Sequence, residues 1–172
     1  ELTATRIPCS DGHKIMWRAG IEDELMPLGL ARHTAPHDLE ASHRLYNEAS
    51  EAAVASHTRS GGFVAMAHTE GKSLDTLQSL VDAGLHGIEI FNLHAMFDPN
   101  KRREDLGLDP LGWMTDIRPF TDPAGTAQPD LFFLAVLQEQ AVSIEKWDAL
   151  QALSPTVGIA GTDAHQNVLP IA

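Results

Sequence analysis

A chain of 172 residues, 43% hydrophobic and 21% charged, has the composition of one folded domain with a buried core, not of a disordered segment. No apolar run approaches the roughly 18–20 residues of a membrane span, and the single cysteine excludes an intramolecular disulfide framework and any zinc site built from several cysteines. The formal charge of −12 argues against electrostatic binding to nucleic acid or anionic lipid. Nine histidines beside one cysteine point instead to metal held by nitrogen and oxygen ligands.

In chain order, residues 13–18 (HKIMWR) alternate as a short strand does. Residues 20–40, rich in Pro, Gly, Asp and His, read as loop. From Asp38 to Arg59 the spacing predicts one helix, with Leu39, Leu45, Ala49, Ala52, Ala53 and Val54 near one face. Ser60-Gly61-Gly62 stops it. FVAMA (63–67) is a continuous apolar run, suited to a strand buried on both faces of a parallel sheet. Ser73 is placed to cap a helix over about 74–83, and Gly84 ends it. GIEIF (87–91) is the next buried strand. Residues 94–130 contain five Pro, three Gly and the run Lys101-Arg102-Arg103, and read as a long excursion with little regular structure. Residues 131–141 look helical, and Ser143 is expected to cap a helix through Leu153. TVGIAG (156–161) is a third buried strand.

Strand, helix, strand, helix, strand implies a parallel α/β sheet or barrel. In such folds chemistry gathers at the C-terminal ends of the strands. His68 follows FVAMA. Asn92 and His94 follow GIEIF. Thr162, Asp163 and His165 follow VGIAG. Asp163 and His165, two residues apart on extended backbone, project to one side. Together with His68 they form a donor set that zinc, manganese or iron accepts.

These segments carry a resemblance. GGFVAMAHTEG (61–71) resembles the glycine, apolar strand, Ala-His-Pro motif of the PHP-domain (polymerase and histidinol phosphatase) metallohydrolases, with Thr69 in place of Pro. GIEIFN (87–92) resembles that family's Gly-Ile-Glu-Val-Tyr-Asn strand, and GIAGTDAH (158–165) its closing Gly-Ser-Asp-Ala-His motif. Glu1 through His13 resembles the segment in which a glutamate ends one strand and a histidine begins the next. IEIFNLHA with GTDAHQN looks most like the carbaryl-hydrolase-like branch. The resemblance implies a single PHP-like domain over 1–172 with a distorted seven-stranded (β/α) barrel and two or three divalent metal ions. It implies Glu1, His13, His68, Asp163 and His165 as metal ligands, with Asp163 or His165 also serving as acid. The family's opening His-x-His and its Thr-Asp-His motif do not occur in this sequence. Since the chain opens at Glu1, we expect a domain whose N-terminal strands precede it. Localisation is not legible.

The expected activity is hydrolysis of a small phosphoester, or of a carboxylic or carbamic ester or amide. The alternatives are a non-catalytic metal-binding remnant and an amidohydrolase-type barrel, although no strand here ends in the lysine the latter uses. Asn92, His94 and part of 95–125 are expected to border the substrate pocket. Glu89, inside a strand, needs a buried partner. Lys101, Arg102 and Arg103 read as a solvated run. His33, His37, His43, His57 and His86 read mostly as surface residues, Trp147 as core, and Cys9 as a small buried or loop residue.

Overall fold

The computed structural model describes residues 4–18, 23–32, 34, 38–122, 124–125, 131 and 137–163. Two antiparallel strands come first, β1 (Ala4–Pro8) and β2 (Lys14–Arg18), paired with Ile7 opposite Ile15. A second sheet has four strands: β3 (Leu25–Leu28), β4 (Phe63–Met66), β5 (Gly87–Asn92) and β6 (Val157–Gly161), in the order β3-β4-β5-β6. β3 runs antiparallel to β4; β4, β5 and β6 are mutually parallel. The three apolar runs are thus adjacent parallel strands, as expected. The described strands form an open sheet of the α/β class.

Helices connect and cover this sheet: α1 (Leu39–Asn47), α2 (Glu51–Arg59), α3 (Leu74–Asp82), α4 (Gly112–Thr121) and α5 (Ala141–Gln151). The Ser73 hydroxyl accepts from Thr76 N, and Gly84, at φ +105°, takes the chain out of α3. Leu25, Val54, Val64, Met66, Leu77, Leu80, Ile88 and Leu150 meet in one core, with Trp147 packed against it. None of the helices, among the described residues, is long and apolar enough to cross a membrane.

Several elements differ from expectation. The single helix over 38–59 is two, because Glu48 is extended and the Ser50 hydroxyl accepts from Ala53 N to open α2. β3 lies within the stretch read as loop; its Pro27 sits on an outer strand, where a missing N–H is tolerated. β6 is only partly buried, with Val157 half exposed. The 94–130 excursion holds a 3-10 turn (His94–Met96), a π-helical turn (Lys101–Asp105) and α4. Of the helix expected over 131–141, residues 132–136 lie outside the described residues and 137–140 are not helical. α5 starts at Ala141, so Ser143 lies inside it instead of capping it.

Arg102 is not solvated. It is buried, and it donates to Asp109 O (2.6 Å), Met96 O (2.9 Å) and Gln138 Oε1 (3.5 Å). His57 is also buried. Its Nδ1 accepts from the Thr34 hydroxyl (3.0 Å), so its Nε2–H faces Leu45 O (3.4 Å). Burial holds its pKa below the usual histidine range, partly opposed by the Leu45 bond. The unfolded chain therefore binds a proton that the folded chain resists. The stabilisation from neutral His57 is complete above the ordinary value of about 6.5 and is lost as pH falls through the lower folded value. Urea titrations from pH 7.5 to 5 are expected to show stability falling on acidification, with His57→Gln reducing the slope. One proton contributes at most about 1.4 kcal/mol per pH unit. An unchanged slope in the variant would remove His57 as the cause.

Candidate functional site

Each of the three parallel strands ends in a device that aims polar side chains at one place. After β4 the chain enters left-handed backbone at His68 (φ 52°, ψ 47°) and winds into a 3-10 turn, Thr69–Gly71. After β6, Asp163 is also left-handed, at φ 46°. Non-glycine residues seldom adopt this region, and such backbone gathers at functional sites. Lys146 on α5 holds the first turn, donating to Thr69 O (2.9 Å) and Glu70 O (2.8 Å). Burial lowers the Lys146 pKa, against the pull of Glu70 and Asp105.

β5 contributes through an irregularity. Its register against β6 shifts between Glu89 and Phe91. Strict alternation would set Glu89 and Asn92 on opposite faces. The extra residue, Ile90, reverses the order, so both turn the same way. Asn92 Nδ2 then donates to Glu89 Oε2 (3.2 Å), and the same oxygen accepts from His68 N (2.9 Å). The Thr69 hydroxyl donates to Glu89 O. Glu89 is buried, which raises its pKa; the bonds from His68 and Asn92 oppose the rise.

The groups converge on Asp163, which is itself buried. His94 Nδ1 lies 3.0 Å from Asp163 Oδ2, and His68 Nδ1 lies 3.9 Å from the same oxygen. Asn92 Nδ2 is 3.2 Å from His68 Nδ1 and 3.5 Å from Asp163 Oδ2. His68, Asn92, His94 and Asp163 line a cleft of about 290 Å³, joined by Glu24, Glu70, Ala95, Asp98 and Lys101. Residues 95, 98 and 101 belong to the 95–125 excursion, which borders the site as its sequence position suggested. Lys101 is ion-paired with Asp105 (3.1 Å) and Glu70 (3.7 Å). Burial works against its charge, but Asp105, Glu70 and Asp98 outweigh it and raise its pKa.

Of the expected site residues, His68, Asn92, His94 and Asp163 are brought together. His13 is not among them: it is exposed at the β1–β2 turn, its N–H donating to Asp11 Oδ1 (3.0 Å), in the sheet that does not carry the cleft. Glu1 and His165 lie outside the described residues, as do His33 and His37. Sequence reasoning missed Gln140, Thr69 and Lys146. A glutamine before a helix, a threonine after a histidine and a lysine within a helix carry no signal of their own.

Asp163 and His68 are of the donor types that divalent zinc, manganese or iron accept. Ligand atoms about 2.0–2.2 Å from a tetrahedral ion stand about 3.4 Å from one another; His68 Nδ1 lies 3.9 Å from Asp163 Oδ2, whereas His94 Nδ1, at 3.0 Å, is hydrogen-bonded to that oxygen. Among the described residues, however, no three His, Cys, Asp or Glu side chains form a group able to hold an ion. No protein-family model, curated protein or solved structure matches this chain significantly.

Proposed function

We propose that the chain is part of a metal-dependent hydrolase of the PHP-domain type, with the barrel architecture of that family. The substrate is a small phosphoester, or a carboxylic or carbamic ester or amide. The observation that carries this reading is the convergence of His68, His94, Asn92 and Asp163 at the C-terminal ends of three parallel strands, two of them on left-handed backbone. Asp163 and His68 are the described ligands in this reading, and Glu1 and His165 would complete the set. The chemistry that bound zinc, manganese or iron supplies is an acidified water and a polarised P=O or C=O bond.

The remaining work falls to side chains. Asp163 Oδ2 accepts from His94 Nδ1–H and so orients the imidazole, and His94 lines the cleft. A proton can then be delivered to a leaving group, or withdrawn from water, at His94 Nε2. Lys101 stays protonated at the cleft wall, balanced by its carboxylate neighbours.

The test begins with metal content after loading with zinc or manganese. Turnover of 4-nitrophenyl phosphate, 4-nitrophenyl acetate and 1-naphthyl N-methylcarbamate follows. Retained metal with hydrolysis of at least one substrate is expected, and absence of both overturns the reading. The exposed position of His13 favours a second reading, a metal-binding domain without turnover; bound metal with no hydrolysis of any of the three would select it.

A further inference from the structure

We propose that Gln140 is a positioning residue of this site: its amide replaces a missing strand at the end of β5 and fixes Asn92, which in turn sets His68 beside Asp163. The consequence for metal binding rests on the functional reading above; the positioning itself does not.

β4 pairs with β5 only at Ala65–Gly87 and Met66–Ile88. Beyond that, β4 has ended and the chain has turned away at His68, so the end of β5 has lost its ladder on that side. In a strand the N–H and C=O of one residue point to the same neighbour, and those of the next residue to the other. Leu93 N donates to Gly161 O of β6. Asn92 N and O therefore face the vacated side, where they are buried and require partners. Gln140 supplies both. Its Oε1 accepts from Asn92 N (3.1 Å), and its Nε2 donates to Asn92 O (2.7 Å). A carboxamide reproduces the donor and acceptor of a peptide unit, so one side chain completes the strand. Gln140 is itself buried and stands immediately before α5.

The Asn92 side chain is then held by four contacts. Its Oδ1 accepts from Ala95 N (2.9 Å), which leaves Nδ2 aimed at Glu89 Oε2, His68 Nδ1 and Asp163 Oδ2. Because that amide donates to His68 Nδ1, the imidazole carries its hydrogen on Nε2. Gln140 thereby acts at a distance on the tautomer and orientation of His68: in the metal-free site the Nδ1 lone pair is held by Asn92 on the side of Asp163, and it becomes a ligand lone pair only when Asn92 Nδ2 releases it to an ion.

The decisive measurement is long-range 1H–15N NMR of His68 in the metal-free protein, with zinc affinity measured in parallel. Gln140→Met keeps the length and removes both hydrogen bonds. Gln151→Met is the control, since Gln151 lies on the same helix and donates to Thr156 O, outside the network around Asn92. The wild type is expected to show the Nε2–H tautomer. Gln140→Met is expected to mix the tautomers and to weaken zinc binding by about 10–100-fold, with both readouts unchanged in Gln151→Met. If Gln140→Met does not fold, Gln140→Glu keeps the acceptor for Asn92 N and turns an oxygen toward Asn92 O. It is expected to shift the tautomer in the same way. An unshifted His68 in the folded Gln140 variant, or an equal shift in Gln151→Met, overturns the proposal. A wild type that binds neither zinc nor manganese and hydrolyses none of the three substrates overturns the functional reading, while the tautomer still decides the role of Gln140.

Discussion

If the chain carries the proposed metal-dependent hydrolysis, replacing Asp163 with Asn is expected to lower its rate by about 10²–10⁴-fold, the range in which an acid–base or orienting carboxylate typically acts, while the fold survives. The two parts of this expectation have separate causes. The fold survives because Asn keeps the shape of Asp and is among the few residues that tolerate left-handed backbone, which position 163 adopts at φ 46°. Activity falls because the carboxylate charge at Oδ2 is the feature that His94 and Asn92 both address. An amide is a poor metal ligand, and even with its oxygen turned to His94 Nδ1–H it brings no charge to orient that imidazole or to stabilise its protonated form. Asp163→Ala should lose as much activity and additional stability, since alanine pays about 1 kcal/mol or more at positive φ. Rates with 4-nitrophenyl phosphate and the carbamate, together with a thermal melt, separate the two effects. Asp163→Asn working within a few-fold of the wild type would remove Asp163 from the mechanism.

Much of this site was legible because it obeys a rule of topology. The runs FVAMA, GIEIF and VGIAG are short, apolar and bounded by glycine, which marks parallel strands. The polar residues after them, His68, Asn92, His94 and Asp163, therefore gather at one end of the sheet. What the sequence hides is what departs from periodicity. The bulge at Ile90 leaves no trace in composition, yet it alone puts Glu89 and Asn92 on the same side. The clamp by Gln140 joins residues 48 apart, and no local pattern encodes it. Arg102 was misread because runs of basic residues are usually solvated. Here the π-helical turn sends the middle one inward, onto backbone carbonyls. His57 was misread for a related reason: a histidine on a helix becomes a core residue only when distant groups, here Thr34 and Leu45, satisfy its ring. His13 is a candidate by resemblance and as the residue that begins a strand, not as one that follows a strand's C-terminal end, and it is the described ligand candidate that lies on an exposed turn.

The junction between β5 and β6 gives the second large effect: Gly161→Ala is expected to destabilise the protein by about 1–3 kcal/mol, the cost of inserting a methyl group where the packing is complete. Gly161 pairs with Asn92 across the ladder, and its carbonyl accepts from Leu93 N. A Cβ there would run into Glu89 Oε1. The end of a glutamate side chain is ordinarily free to swing aside. This one is buried, and its other oxygen is bonded to His68 N and Asn92 Nδ2, so moving it breaks the contacts that shape the site. The collision thus carries a signature that general overpacking lacks: it depends on Glu89. Shortening the partner with Glu89→Ala should remove the clash, leaving the double variant more stable than the sum of the single effects predicts, by about 1 kcal/mol or more. Urea unfolding of the wild type, both single variants and the double variant closes the cycle. Additivity within about 0.5 kcal/mol would mean that Gly161 is required for some reason other than Glu89. Coupling beyond that would establish that Gly161 makes room for the buried carboxyl group on which His68 and Asn92 are built.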